Sequence, residues 1–425
     1  MERVLAVLLA GCVTAAGTLA RTVELAPGMT SLPQVLTLTA ADSGPRFVGA
    51  ADGTTVLSGG VPITGWTARE DGVWVARAPF YFEALFVNGR RAVRARAPNV
   101  GFFQARDIVS EENGACGVGV LPAEAALLAQ VPEADLPFVH LVAHVKWDLY
   151  RRPLRAFKAS SSRVSIAGVS ASKLDAQEQF YFENLRSAFD APGEWFYDGV
   201  AGEVLYRPLP GERLDWLEAI APRQGFETLV SIDGAEDVTF ENVTFAHSTP
   251  SEQIGPSSYD SYQAAVTTPS TVKVNHARRI VFRNCAFRHL GAYGMHLEAD
   301  CSSNRVESCL FDDLGAGGMK IGPFTNPGAS GAVVQPPTST SFNLVTNCVF
   351  RRGGRHTESG VGVIIAHASD NTVVKNTIED FYYTGISVGW VWGYSGSDAQ
   401  RNLIAYNRIR KIGQRALSDM GGIYT

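Results

Sequence analysis

The sequence has few cysteines and, beyond its first residues, no long apolar run. Six cysteines occur in 425 residues, and without Cys12, which lies in the N-terminal apolar run, the odd number left cannot all pair, so a disulfide scaffold is excluded. No Cys-x-x-Cys spacing occurs, and we predict neither a metal site nor a cofactor. After residue 20 no segment has about 20 consecutive apolar residues, so we expect no transmembrane helix.

The chain also has little net charge. Its formal charge is −5, and its basic residues are scattered rather than gathered in a stripe, which excludes nucleic acid as the expected partner. The hydrophobic content of 45% and the 42 glycines are typical of a globular or solenoid β-protein. We expect a monomer.

The first twenty residues have the composition of an export signal. Arg3 precedes an apolar run from Val4 to Val13, and small residues lead to Ala20, as in a cleaved secretory signal peptide. The alternative is a lipoprotein signal, because Leu9-Ala-Gly-Cys12 resembles a lipobox with Cys12 as the acylated residue. We therefore predict a secreted protein, with a lipid anchor as the alternative.

A short motif repeats from Val238 onward, and its shortest spacing, from Asn284 to Ser308, is 24 residues. Each copy has an Asn or Ser between alternating apolar positions, which predicts one coil of a solenoid. Asn tolerates the left-handed backbone of tight turns, so the motif predicts a stack of Asn at successive turns. The aligned anchors are Asn242, Asn284, Ser308, Asn347, Asn376 and Asn407.

The repeat predicts an all-β fold, a right-handed parallel β-helix. Period-two alternation places Cys285, Cys309 and Cys348 inside, together with a stack of Phe245, Phe287, Phe311 and Phe350. A second strand in each coil begins with Gly and predicts an outward column that could form a ligand groove or simply a solvated face. Its members are Lys273, His296, Lys320, Ile364, Ser387 and Tyr424.

The region before the repeats contains strands without periodicity. We therefore predict four segments. They are a signal peptide at 1–20, the start of the β-helix at 21–78, an inserted β-rich module at 79–218 and the β-helix repeats at 219–425.

Four stretches resemble the parallel β-helix glycoside hydrolases of the pectin-lyase-like superfamily, and most closely the family that includes α-L-fucosidases and xylanases. They are Ala84-Leu-Phe-Val-Asn-Gly89, Phe182-Glu-Asn-Leu185 with Ala191-Pro-Gly-Glu-Trp-Phe-Tyr197, Tyr383-Thr-Gly-Ile-Ser-Val-Gly-Trp390 and Leu417-Ser-Asp-Met-Gly-Gly-Ile-Tyr-Thr425. The resemblance implies a secreted glycoside hydrolase that acts on plant or microbial cell-wall polysaccharide. Members of this family continue for several coils after the last stretch, so we expect this chain to be a fragment.

Glycosidic hydrolysis ordinarily needs two carboxyl groups about 5 to 10 Å apart. Asp419 is the first candidate, because it precedes an outward strand beside two glycines in the stretch that most resembles the family's active-site coil. The alternative is that Asp419 only stabilises a turn. Glu298, which follows the His296 strand, is the candidate for the second carboxylate. It is chosen over Asp313 and Asp370, for which turn roles are simpler, and over Glu358 and Asp380.

Aromatic and polar side chains near the strand ends are candidates for binding sugar rings, although structural packing accounts for the same residues. They are His296, Lys320, His367, Trp390, Trp392 and Tyr424. Two other functions stay open. A polysaccharide lyase would use Lys320 as the base that removes a proton beside a uronate carboxylate, and a non-catalytic carbohydrate-binding protein would need only the groove.

Overall fold

The computed structural model describes residues 21–111, 115–166, 174, 178–250, 259–260, 262–324, 340–390 and 397–425. The predicted signal peptide and Cys12 lie outside the described residues. The chain divides into two compact units, of which the first comprises Met1–Gly60, Pro222–Pro250 and Tyr262–Thr425. The second comprises Val61–Ala221 and Ser251–Ser261.

The first unit begins with five short strands. They are β1 (Thr22–Glu24), β2 (Gly28–Ser31), β3 (Leu36–Thr39), β4 (Arg46–Val48) and β5 (Thr55–Ser58). A one-turn 3-10 helix, Ala40–Asp42, follows β3. Leu36 and Leu38 are buried while Thr37 and Thr39 are exposed, which is the alternation expected of a strand with one face in a core.

The second unit is a largely antiparallel β-structure. Its elements in chain order are β6 (Gly60–Pro62), β7 (Thr67–Ala68), β8 (Trp74–Arg77), β9 (Phe86–Val87), β10 (Arg90–Arg91), β11 (Val93–Arg94), β12 (Arg96–Ala97), β13 (Phe103–Gln104), β14 (Asp107–Ser110), β15 (Cys116–Gly119), α1 (Pro122–Leu128), β16 (His140–Val145), β17 (Asp148–Lys158), β18 (Arg163–Ile166), β19 (Gln179–Glu183), β20 (Glu194–Asp198), β21 (Glu203–Tyr206) and β22 (Ala219–Pro222). Its 3-10 helices are Glu133–Phe138, Ala159–Ser161, Arg186–Ala188 and Leu214–Trp216.

The predicted module at 79–218 falls inside the second unit, which starts earlier, at Val61. The reason is strand pairing: β8 pairs antiparallel with β21, and β7 pairs with β8. The residues from Thr67 to Arg77 therefore belong to the sheet β11-β20-β21-β8-β7 of the second unit. The sequence-based prediction assigned them to the start of the β-helix. In the described part of the chain no helix is long enough to cross a membrane, α1 having seven residues.

The chain returns to the first unit for the repeats. Their strands are β23 (Val230–Asp233), β24 (Thr239–Glu241), β25 (Thr244–Ala246), β27 (Ser270–Asn275), β28 (Val281–Arg283), β29 (Ala286–Leu290), β30 (Tyr293–Leu297), β31 (Arg305–Glu307), β32 (Leu310–Leu314), β33 (Met319–Ile321), β34 (Leu344–Thr346), β35 (Val349–Gly353), β36 (Val363–Ile365), β37 (Thr372–Val374), β38 (Thr377–Phe381), β39 (Ile386–Val388), β40 (Leu403–Ala405), β41 (Arg408–Arg410) and β42 (Ile423–Tyr424). The two-residue strand β26 (Tyr259–Asp260) pairs with β17 in the second unit.

Three parallel sheets of eight strands run along the first unit, each taking one strand per coil. Sheet 1 has the order β1-β4-β24-β28-β31-β34-β37-β40, and sheet 2 has β2-β5-β25-β29-β32-β35-β38-β41. Sheet 3 has β3-β23-β27-β30-β33-β36-β39-β42. The predicted fold, an all-β parallel β-helix, is confirmed.

Stacked identical side chains hold successive coils in register. The rings of Phe287 and Phe311 lie 4.3 Å apart between centroids, and those of Phe311 and Phe350 lie 4.5 Å apart. Both spacings are close to the distance between neighbouring strands, so each ring covers the next. Cys309 and Cys348 are buried in the core as predicted, and the backbone N–H of Cys309 lies 3.5 Å from the sulfur of Cys348.

The predicted Asn stack is right for the first coils and wrong for the last two. Asn242, Asn284 and Asn347 adopt a positive φ at the turn between sheets 1 and 2, as Asn tolerates. In the next coils the pairing of Thr346 with Val374 gives that turn position to Lys375. Asn376 therefore sits one place further on, beside Cys348, whose backbone N–H donates to its Oδ1 at 2.9 Å.

A second Asn ladder, absent from the sequence-based predictions, lies before the sheet 1 strands. The side-chain amide of Asn304 donates to Asn343 at 2.9 Å, Asn343 donates to Asn371 at 2.9 Å, and Asn371 donates to Asn402 at 3.1 Å. An amide has both donors and an acceptor, so a column of buried Asn satisfies itself along the helix axis. The recurrent Asn-x-Val or Asn-x-Ile in the sequence is the signal that would have predicted it.

Candidate functional site

The outward column of sheet 3 has the register that the sequence predicts. Lys273 pairs with His296, and His296 pairs with Lys320. Lys320 pairs with Ile364, followed in the next coils by Ser387 and Tyr424. Period-two alternation within each strand, together with the Gly that begins most of these strands, produces the match.

This column is not an open groove along its whole length. We call residues 262–269 the strap, because they lie over the middle of the column. Val266 and Ala264 of the strap pack in one cluster with Ile364, and Lys320 is only 3% exposed. The expectation of an accessible groove at Lys320 is therefore wrong, since a non-repeating excursion covers it.

The strap is held in a strained backbone conformation. Tyr262, Ala264 and Ala265 all have φ near +50 to +59°, a region that costs non-glycine residues of order 1–3 kcal/mol each. The hydroxyl of the buried Tyr293 donates to the carbonyl of Ala264 at 2.6 Å and accepts from the backbone N–H of Val361 at 3.0 Å. Buried hydrogen bonds of this kind maintain the strained path.

A cavity of about 530 Å³ lies beside the strap. Its volume is in the range of small-molecule sites, roughly 300–1,000 Å³. Its lining comes from the strap, from β27, β30 and β33 and from the residues that follow them, and includes Thr228, Thr268, Lys273, Asn275, His296, Glu298, Lys320 and Phe324. The predicted residues His296, Glu298 and Lys320 thus meet in one cavity.

Lys320 extends under the strap. Its Nζ donates to the carbonyl of Thr268 at 2.7 Å and to that of Val266 at 3.1 Å. Burial lowers the pKa of Lys320 to about 7, while the charge of Glu298 acts in the opposite direction. This side chain can therefore change its protonation state near neutral pH.

Glu298 carries the carboxylate of the cavity. Its Oε2 lies 3.1 Å from Nζ of Lys273, and its Oε1 lies 3.4 Å from Nδ1 of His296. Burial alone would raise its pKa, but the hydrogen bond and charge of His296, followed by those of Lys273, lower the pKa of Glu298 to about 2. Glu298 is consequently an ionised, paired carboxylate and not a proton donor near neutral pH.

His296 lies between Glu298 and the backbone. Its Nε2 donates to the carbonyl of Gly322 at 2.9 Å, which leaves Nδ1 facing the carboxylate. Burial and then the charge of Lys320 lower the pKa of His296 below its ordinary value. Both effects disfavour the imidazolium form of His296, whereas its contact with Glu298 favours that form.

Asp419 lies on an exposed turn before β42, at positive φ. Gln263 donates from Nε2 to its Oδ2 at 3.1 Å, and the hydroxyl of Tyr424 donates to its Oδ1 at 3.0 Å. The hydroxyl of Tyr383 donates to its backbone carbonyl at 2.6 Å. Both carboxylate oxygens are thus oriented by neutral donors while the group stays open to solvent. We call this arrangement the Asp419 turn.

The structure does not bring Asp419 and Glu298 together. Glu298 follows β30 and Asp419 precedes β42, and these strands are four neighbours apart in sheet 3. Four strand spacings amount to about 19 Å, which is well beyond the separation of a glycosidase carboxylate pair. The predicted pairing of these two residues is therefore wrong.

The remaining predicted sugar-binding residues have different surroundings. His367 and Trp390 are buried, and the ring of Trp390 packs edge-on against Phe324 at 5.4 Å, so neither presents a ring to solvent. Tyr424 is partly exposed and contacts Asp419. Trp392 lies outside the described residues.

The sequence did not predict three residues that contribute to the cavity and to the Asp419 turn. Gln263 orients Asp419, Phe324 lines the cavity, and Val266 supplies a carbonyl to Lys320. All three lie in excursions between coils, where no periodicity predicts a contact. The long intervals between anchors, 42 residues from Asn242 to Asn284 and 39 from Ser308 to Asn347, are the signals that these excursions exist.

Comparisons with known proteins bear on the fold. No protein-family model and no curated protein matches this chain. A solved structure described as "Glycoside hydrolase" matches 95% of this chain and 82% of its own, with 22% sequence identity and a TM-score of 0.78. The chain shares the fold of that structure. A complex of XylC with xylose matches 93% of this chain and 58% of its own, with 10% identity and a TM-score of 0.46.

Proposed function

We propose that this protein is a secreted glycoside hydrolase that binds a polysaccharide over the strap, on the outer side of sheet 3, and cleaves it at the Asp419 turn. The observation that supports this proposal is the Asp419 carboxylate, which is solvent-exposed and has both oxygens oriented by side-chain donors. A fixed, accessible carboxylate is what a glycosidase needs for a base or a nucleophile. The fold shared with a solved glycoside hydrolase agrees with this reaction class.

In this proposal the cavity at Glu298 binds substrate and does not perform the cleavage. Glu298 is neutralised by Lys273 and lies about 19 Å along the column from Asp419, at four strand spacings. A polysaccharide that spans both places would have one residue held in the cavity while another lies at Asp419. Binding energy from the remote residue would then help to position the reacting bond.

The test is a screen of the full chain on aryl glycosides and cell-wall polysaccharides with two readouts, new reducing ends and unsaturated sugar products. Reducing ends without unsaturation are expected. Unsaturated products would mean that the protein cleaves by elimination rather than by hydrolysis. Binding without cleavage would mean that the protein is a carbohydrate-binding protein and not an enzyme. Either result contradicts the proposal.

The variant Asp419→Asn tests whether Asp419 is the catalytic carboxylate. Asn keeps the positive φ but cannot act as base or nucleophile, so we expect turnover to fall about 1,000-fold or more with an unchanged melting temperature. Asp370→Asn is the matched control, because Asp370 also has a positive φ but is paired with Arg401. Its turnover should equal that of the parent. Equal turnover in both variants would remove Asp419 from the mechanism.

A further inference from the structure

The ammonium group of Lys320 lines the cavity, and one of its three N–H donors is available to a ligand. Its side chain is 3% exposed, and two of its three donors are taken by the carbonyls of Val266 and Thr268. Among the described residues, no acceptor takes the third donor. Because Lys320 lines the cavity, a ligand there can accept that hydrogen bond.

The charges around the cavity favour an anion. Lys273 reaches in from β27, His296 and Tyr293 belong to β30, and Glu298 follows that strand. Glu298 is ion-paired with Lys273, His296 lies between Glu298 and the carbonyl of Gly322, and the Tyr293 hydroxyl is engaged with backbone groups. The strap contributes the carbonyl oxygens of Val266 and Thr268 to Lys320. Two cations and one carboxylate therefore leave one surplus positive charge when Lys320 is protonated.

We propose that this cavity binds a carboxylated sugar residue, with the carboxylate on Lys320 and Lys273, so that the substrate is a polysaccharide containing uronic acid. This rests on the proposed function, for which it names the substrate class. The cavity volume of about 530 Å³ admits a monosaccharide unit. Asn275 and Thr228 supply polar groups for its hydroxyls, and Phe324 supplies an aromatic ring.

Binding of a carboxylate is coupled to protonation of Lys320. Burial holds the pKa of Lys320 at about 7 in the free protein, so above neutral pH most of these side chains are uncharged. A bound carboxylate favours the ammonium form and raises that pKa. Binding measured above pH 7 must therefore take up protons.

The experiment is titration calorimetry of the full chain at about pH 8, one unit above the Lys320 pKa, in two buffers of different ionisation enthalpy. The ligands are galacturonate and glucuronate oligosaccharides, the matching neutral oligosaccharides, and acetate. We expect a uronate ligand to bind at least tenfold more tightly than its neutral counterpart and to take up a fraction of a proton. Equal affinity for neutral and charged sugars, or for acetate and uronate, would overturn the inference.

Three variants test whether Lys320 causes the preference for uronate and the proton uptake. Lys320→Met should lose both the preference and the proton uptake, whereas Lys375→Met, at an exposed turn, should keep both. Lys273→Met, at a side chain 47% exposed, weakens uronate binding without touching the strap and covers the case in which Lys320→Met fails to fold. Proton uptake that persists in Lys320→Met would contradict the inference. Asp419-dependent cleavage of a neutral polysaccharide without uronate binding would refute this inference and leave the hydrolase proposal standing.

Discussion

The cavity at Glu298 and the Asp419 turn lie on the same sheet and differ in what covers them. The strap and Phe324 cover the column at Lys320 and His296, whereas Asp419 at β42 is exposed. In the cavity burial lowers the pKa of Lys320, and contacts with His296 and Lys273 lower the pKa of Glu298, because charges interact more strongly where solvent screens them less. At the turn neutral donors orient one carboxylate. Two places on one sheet, four strands apart, therefore acquire different chemistry from their cover.

This difference has an energetic consequence. Buried charges must be paired or hydrogen-bonded, and the loss of one partner is costly. The buried Lys320 and the partly buried Glu298 are such charges, so substitutions there should change stability and its dependence on pH, whereas Lys273 is more exposed. Substitutions at the Asp419 turn should change turnover and leave stability nearly unaltered. The following predictions, from the largest effect to the smallest, separate the two regions.

Glu298→Gln should cause the largest loss of stability. The pKa of Glu298 is lowered from 4.5 to about 2, and its side chain is 26% exposed, so its ionised form contributes about 2–3 kcal/mol to folding. A depressed carboxyl pKa stabilises above the unfolded value, so this contribution is complete above pH 4.5 and disappears as the pH falls towards 2. Chemical denaturation at several pH values measures it.

The matched control is Glu379→Gln, which removes the surface partner of Arg410 and should cost less than about 1 kcal/mol. A Glu298→Gln variant with the stability of the parent at pH 7 would show that the cavity charges are not coupled to folding.

Tyr293→Phe should destabilise more than Tyr424→Phe. The Tyr293 hydroxyl is buried and makes two backbone hydrogen bonds, to Ala264 and from Val361, so its removal leaves buried groups unsatisfied at a cost of about 1–3 kcal/mol. The Tyr424 hydroxyl bonds an exposed carboxylate, and water can replace it. Denaturant midpoints of the two variants test this order, and equal losses would contradict the assignment of the strap as a buried cover.

Gln263→Met should lower turnover about tenfold, which corresponds to roughly 1.4 kcal/mol of barrier. The variant removes the donor to Oδ2 of Asp419. Tyr424 then remains as the side-chain donor from the described residues, so the orientation of the carboxylate is less defined. Steady-state kinetics should show the loss in kcat with an unchanged melting temperature. A large loss of stability would instead mean that Gln263 serves mainly to hold the strap.

Lys273→Met should have the smallest effect on stability, below about 1 kcal/mol and weaker at high salt, because an exposed ion pair is screened by solvent. Its partner Glu298 keeps the contact with His296. Unfolding at low and high ionic strength measures the difference. A loss as large as that of Glu298→Gln would show that Lys273 is essential for neutralising the cavity.

Periodicity made the β-helix and the outward column predictable. Stacked coils repeat the same alternation, so Met295, Met319 and Val363 pair along sheet 3 and fix the direction of their neighbours. The same logic failed for Asn376. Asn is favoured both at a left-handed turn and at a buried hydrogen-bonding position, so an alignment on Asn alone shifted the last coils by one residue.

The segments that cover sheet 3, the strap and Phe324, could not be predicted, because the excursions between coils contain no repeated motif. Nothing in the sequence brings Thr268 to Lys320 or Gln263 to Asp419. Trp390 was expected to present its ring to a ligand, yet it is buried against Phe324. The alternation of apolar and polar residues predicts which face of the strand a side chain lies on. Whether that side chain is exposed to solvent depends on which distant segment of the chain covers that face.

The most direct test compares the turnover of Asp419→Asn and Glu298→Gln on the same cleaved polysaccharide, with both variants shown to be folded under the assay conditions. We predict that Asp419→Asn loses about 1,000-fold or more in kcat, whereas Glu298→Gln changes mainly KM and keeps kcat within about tenfold of the parent. A larger loss of kcat in Glu298→Gln than in Asp419→Asn would place the chemistry in the cavity and contradict the account.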